Sequence, residues 1–320
     1  MKKSYLALGV VALLLIGGGV FAWVWSMGEH QKRALKAANE MGAIVQVQET
    51  IPGKPVTVTF RKGTLSPEQV ASLHDIANLT TVNLIDTQVG DEAAPALGQL
   101  SGLRSLDLSG TRITDAGLKP LHGLTDLSLR NTAITDAGLT AVANLTELRS
   151  LNAAGTKITD AGMKKLSQKF RVLNLDDTTV GDAGLLHLDL GDLESLSLAN
   201  TKVSDALAER LQGAAGLKRL NLDNTAVTDS GLKCLEKLTS LESLSLRGTK
   251  CGDPTTKYIG TLPHLTYLSL VGTQVTDGGL LPFKNLGKLG YLDLAQTNTT
   301  DKGVGAIRDS LLPSIRINRR

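Results

Sequence analysis

Ten aspartates recur at one position along the chain: Asp91, Asp115, Asp136, Asp160, Asp182, Asp205, Asp229, Asp253, Asp277 and Asp301. Each stands four residues after a threonine, in the series Thr87, Thr111, Thr132, Thr156, Thr178, Thr201, Thr225, Thr249, Thr273 and Thr297. Carboxylates in such register raise two kinds of chemistry, calcium coordination and acid–base catalysis. A calcium loop gathers several oxygen ligands from neighbouring residues, whereas each copy here supplies one. The spacing instead predicts capping. Each Asp stands just before a segment of helical spacing, where its oxygen would accept first-turn N–H groups and contribute about 1 kcal/mol. Asp253-Pro254 fits, because Pro suits the first helical position. Each Thr hydroxyl is expected to bond backbone groups in the turn leaving a strand, making a ladder.

Other chemistry is missing from the sequence. It has no Gly-x-Ser-x-Gly, Walker loop, His-Glu-x-x-His or Cys-x-x-Cys. His30, His74, His122, His187 and His264 lie in different copies without ligand spacing, so no metal, cofactor or enzymatic activity is expected. Cys234 and Cys251 do not form a disulfide framework, and Cys251 takes an apolar position. A net charge of +3 on 320 residues, with 3% aromatics, argues against nucleic acid as a partner. The sequons at Asn78, Asn144 and Asn298 read as incidental in this setting.

The elements that must carry these columns follow from the surrounding phrase, Leu-x-x-Leu-x-Leu-x-x-Thr-x-Ile/Val-x-Asp-x-Gly-Leu-x-x-Leu. Successive Thr lie 21 to 24 residues apart. Pairs such as Leu106/Leu108 and Leu220/Leu222 alternate at period two and predict a short strand with one buried face. Gly231, Leu232 and Leu235 have helical spacing. A unit this small cannot bury its apolar face alone, so the copies must stack as a solenoid. The predicted fold is α/β: a horseshoe with a parallel sheet on the concave side and short helices outside.

LRSLDLSGTRITDAGLKPL (103–121) and LKRLNLDNTAVTDSGLKCL (217–235) resemble the leucine-rich repeat, and the resemblance covers about three quarters of the chain. The Ile-Thr-Asp-x-Gly-Leu ending is similar to that of the cysteine-containing repeats of F-box proteins, with Thr where those carry Cys. Together with an apolar front end, it looks most like a membrane-anchored bacterial set found in planctomycetes. A ubiquitin-ligase role is disfavoured, because an apolar segment occupies the place of an F-box.

That segment is Tyr5–Trp25, 21 uncharged residues after Lys2 and Lys3. As a helix it would span about 31 Å, enough to cross a bilayer core, with Trp23 and Trp25 at its far interface. Ser26-x-Gly28 keeps a cleaved signal peptide open as the alternative. The expected layout is an anchor over 1–28, a helix, hairpin and capping unit over 29–78, ten repeats over 79–311, and a capping strand with a basic tail over 312–320. Within the second part, a helix is expected over Gln31–Met41, then strands over Ala43–Gln48 and Pro55–Phe60 around a Pro52-Gly53 turn. Ser66-Pro67-Glu68-Gln69 reads as a helix start. The repeats are expected outside the cytoplasm, on a single-pass membrane protein.

A solenoid without chemistry points to recognition. The outward strand positions are mostly Ser, Asn and Asp, but Arg219, Arg247, Tyr267, Val271 and Tyr291 depart from this. Tyr and Arg anchor protein interfaces, and the two tyrosines should stack on neighbouring strands. These five are the candidate partner-binding residues; the competing reading is that the tyrosines shield the end of the stack. The function expected is a membrane-tethered, non-catalytic scaffold that binds a protein on its concave face, with no small-molecule substrate. The alternative is a structural or glycan-binding element of the cell envelope.

Overall fold

In a computed structural model of the protein, residues 29–48, 54–167, 169–308 and 315–319 are described. They form two compact units, one ending at Thr125 and the other starting at Asp126. The expected anchor, the Pro52-Gly53 turn and Leu312 lie outside the described residues. No helix among the described residues is long and apolar enough to cross a membrane.

The first unit opens with the helix Glu29–Glu40, which turns Ala34, Leu35 and Ala38 inward. Buried Gln31 ties it down, accepting the Ala77 N–H at 2.6 Å and donating to the Ala77 carbonyl at 3.3 Å. Strands β1 (Ile44–Val47) and β2 (Val56–Thr59) pair antiparallel. β3 (Leu79–Asn83) and β4 (Ser105–Asp107) continue in parallel, with Val58 beside Val82 as the 24-residue offset requires. Ser66 caps its helix as the sequence predicts: its Oγ accepts the Gln69 N–H at 3.3 Å and Gln69 Oε1 accepts the Ser66 N–H at 2.8 Å.

Among the described residues the second unit carries nine strands: β5 (Asp126–Ser128), β6 (Ser150–Asn152), β7 (Val172–Asn174), β8 (Ser195–Ser197), β9 (Arg219–Asn221), β10 (Ser243–Ser245), β11 (Tyr267–Ser269), β12 (Tyr291–Asp293) and β13 (Arg316–Asn318). They pair in parallel, in chain order and without a slip in register. From β5 to β12 the middle residue, such as Leu220 or Leu244, is buried while its neighbours are exposed or half-buried, except buried Ser269. The apolar residue after each Thr, from Ile134 to Val275, is buried beneath. The segments after Asp are short, from the four-residue α-helix Asp160–Met163 to the nine-residue 3-10 helix Asp277–Asn285. Gly in the first turn lowers helix propensity, which favours brief or tightened turns.

Every residue preceding a column threonine adopts a left-handed backbone, with φ between 54° and 68°. Most are Gly, Asn or Asp, the types that tolerate this region. Gln296 does not belong to that group, and its side chain is exposed. Gln296→Asn is therefore expected to stabilise the protein by about 0.5–1 kcal/mol, seen as a higher urea midpoint with an unchanged slope.

Candidate functional site

The aspartates do not cap their own helices. Where the segment begins at Asp, the cap position is the residue before it, such as Thr114, Thr159 or Thr276. The carboxylate reaches forward to the cap residue of the next repeat instead. Asp205 Oδ1 accepts the Thr228 N–H at 2.7 Å and Oδ2 accepts the Thr228 hydroxyl at 2.6 Å. The same pair of bonds joins Asp91 to Thr114, Asp136 to Thr159, Asp182 to Ser204, Asp253 to Thr276 and Asp277 to Thr300. Where the cap is Gly181 or Gly252, the backbone N–H alone donates, to Asp160 at 2.6 Å and Asp229 at 2.9 Å. Cap threonines turn their oxygens onward to the first turn of their own helix, as Thr159 does for the Ala161 N–H at 3.2 Å.

This fastening also explains the Gly two residues after Asp. A Cβ on Gly162, Gly184, Gly231 or Gly279 would come within 2.3 to 2.6 Å of the preceding repeat's Asp Oδ1. Thr255 replaces that Gly in one repeat, and its N–H and hydroxyl donate to Asp229 at 3.1 and 2.5 Å. The last carboxylate, Asp301, pairs with Arg319 (Nε to Oδ1, 2.7 Å). The threonine column does bond the turn: all ten hydroxyls donate to the carbonyl three residues back, at 2.5–2.7 Å. Those bonds stay within a repeat, so the ladder lies in the aspartates.

Two neighbouring features add electrostatics. The Thr300 hydroxyl and N–H hold the Asp277 carboxyl below its ordinary value, and Arg171 with Lys218 does the same for Glu194. A carboxylate lowered on folding stabilises the fold above its unfolded pKa, near 4, and loses that contribution as pH falls through the folded value. Unfolding free energy is thus expected to hold through pH 5 and to drop below about pH 4, as urea titrations at stepped pH would record. Among the described residues, no three His, Cys, Asp or Glu side chains gather to hold a metal. Cys234 and Cys251 are free and buried, and burial pushes both thiols up to about 11, away from thiolate chemistry.

The outward strand positions hold the remaining candidates. Tyr267 and Tyr291 pair in register and their rings stack, with centroids 5.1 Å apart and planes 7° from parallel. Tyr267 is 38% exposed, and the Tyr291 hydroxyl donates to Asp293 Oδ2 at 3.2 Å. Arg219 lies in the same row across Ser243, exposed, with Nε 3.4 Å from Ser195 Oγ. Arg247 is exposed just beyond β10. Val271 is only 7% exposed and offers little contact area, at a repeat position that holds buried Ala154, Ala199 and Ala295 and exposed Arg130 and Arg247. Beyond Tyr291 the row continues to exposed Arg316 on β13, a residue the sequence reading passed over. The tyrosines therefore do not end the sheet, because β13 lies outside them.

The family described as Leucine Rich repeat matches residues 101–121, 123–143, 217–235 and 261–284. No curated protein matches the chain in sequence. Among solved structures it is similar to an internalin from Listeria monocytogenes, at 22% identity and a TM-score of 0.54 over 70% of each chain. It is also similar to a leucine-rich-repeat protein from Leptospira interrogans, at 20% identity and a TM-score of 0.58 over 80% of this chain and 75% of that one. These identities speak to the fold alone. Those four segments match the leucine-rich repeat, and the fold is similar to that of solved leucine-rich-repeat proteins.

Proposed function

We propose that the protein is a membrane-tethered scaffold whose strand face holds a partner protein, with the repeats outside the cytoplasm. The observation that carries this is the stacked pair of exposed Tyr267 and half-buried Tyr291, within a row otherwise rich in small polar residues. Rigid, amphipathic rings of this kind anchor interfaces at low entropic cost. A preformed leucine-rich-repeat surface, a fold typical of protein-binding proteins, adds little ordering cost on association. Tethering rests on the 21-residue apolar segment Tyr5–Trp25.

A photo-crosslinking amino acid placed at Ser243 in the native host should capture a protein. The Tyr267→Ala/Tyr291→Ala double variant should lose that adduct, with binding weakened at least about 10-fold, as hot-spot losses imply. Capture from Lys233 on the helical side, with none from Ser243, would refute the strand-face assignment. Alkaline extraction tests the tether: the full chain should stay with membranes, and a chain lacking 1–28 should not.

A further inference from the structure

The row Arg219, Ser243, Tyr267, Tyr291, Arg316 crosses β9 to β13 in continuous register. At about 4.8 Å per strand its two guanidiniums stand about 19 Å apart at the backbone. What this face lacks is shown by its hydrogen bonds. Its two nearest carboxylates are already occupied by the chain's own donors. Asp293 accepts the Ala295 N–H at 3.1 Å, the Asn318 amide at 3.0 Å and the Tyr291 hydroxyl at 3.2 Å. Asp223 accepts the Ser245 hydroxyl at 2.5 Å and the Arg247 N–H at 2.9 Å. The arginines are in the opposite condition. The Arg247 and Arg316 guanidiniums have no hydrogen-bond or ion-pair partner among the described residues, and Arg219 makes only the long bond to Ser195. Cations on the flank are treated differently: Arg171 and Lys218 share Glu194, and Lys169 lies between Asp189 and Asp192.

A surface whose carboxylates already hold the chain's own donors, beside unused planar donors, favours a carboxylate ligand, since each guanidinium offers five N–H groups in a fork that fits one. We propose that this row recognises an extended acidic segment of a partner protein, with an apolar side chain on the tyrosine plate and a carboxylate on either side. This rests on the protein-binding reading above and names the partner's chemistry. An extended chain rises about 3.3 Å per residue, so about 19 Å corresponds to carboxylates about six residues apart with the apolar residue midway. The segment crosses the strands, so side chains and not added sheet bonds make the contact. Single-stranded nucleic acid is the rival for an Arg–Tyr surface. It fits less well, because a phosphate at every nucleotide would meet Asp223 and Asp293, and each tyrosine already gives one ring face to the other.

The test is fluorescence anisotropy on the purified full chain, using a labelled nine-residue peptide with aspartates at positions two and eight and leucine at five. Saturable binding is expected, at least about 10-fold weaker for the same peptide with asparagines and likewise for the Arg219→Glu/Arg316→Glu variant. Lys233→Glu, on the helical side, should change nothing, and circular dichroism should show both variants folded. Absence of binding up to about 1 mM, equal affinity for both peptides, retention by the double Arg variant, or displacement by oligothymidylate would each overturn the proposal. A partner crosslinked from Ser243 that survives the Arg substitutions would sink this inference alone. Absence of any protein crosslinked from Ser243 in the unsubstituted chain would sink the protein-binding reading with it.

Discussion

Gly231→Ala is expected to destabilise the protein by about 1–3 kcal/mol, the range for forcing a methyl into a filled space. The added Cβ would stand 2.4 Å from Asp205 Oδ1 and 2.7 Å from Asp205 Cα. The carboxylate can swing aside only by breaking its bonds to Thr228, and the Cα can move only with its backbone. Gly305→Ala is the matched control. Gly305 is exposed within the helix Asp301–Arg308 and has nothing within 4 Å of a new Cβ. Helix propensity should make that change stabilising by about 0.5–1 kcal/mol. Opposite signs in urea unfolding would support the close-approach account, and a harmless Gly231→Ala would end it.

Asp205→Ala should cost about 1.5–3 kcal/mol, the worth of hydrogen bonds to a charged group. Asp205→Asn should cost less, because its amide can still accept the Thr228 N–H through oxygen. The location of the damage separates two mechanisms. If Asp205 capped its own helix, hydrogen exchange would quicken around Leu207–Leu211. With the carboxylate bound forward, the amide that loses protection is Thr228, 23 residues downstream. Combining Asp205→Ala with Gly231→Ala should be less than additive, since removing Oδ1 relieves part of the clash. Some cost should persist through the 2.7 Å approach to Cα.

The strand and core positions were legible because the period forces them. Leu220 and Leu244 can pair and point inward only one way once units of 24 residues stack. The same argument placed Tyr267 beside Tyr291. The aspartates were misread because sequence displays what lies next along the chain and hides what lies next across it. The clue was present, since a Thr or a small substitute often precedes the following Asp, about one period on. Val271 stands at the same repeat position as exposed Arg247, and nothing in the repeated phrase marks that its shorter apolar side chain is buried there. Arg316 escaped notice because it lies 25 residues after Tyr291, in a terminal unit that has lost most of the repeated phrase.

The forward-reaching carboxylate gives each repeat a head and a tail. Its donors face the preceding copy and its acceptor faces the following one, so six joints made through a Thr or Ser cap are alike. Among these, a unit copied in frame brings a matching donor and acceptor with it. Asp301, the last aspartate of the column, is closed by Arg319. Arrays of this kind can therefore lengthen or shorten by recombination while the same terminal clasp serves every length.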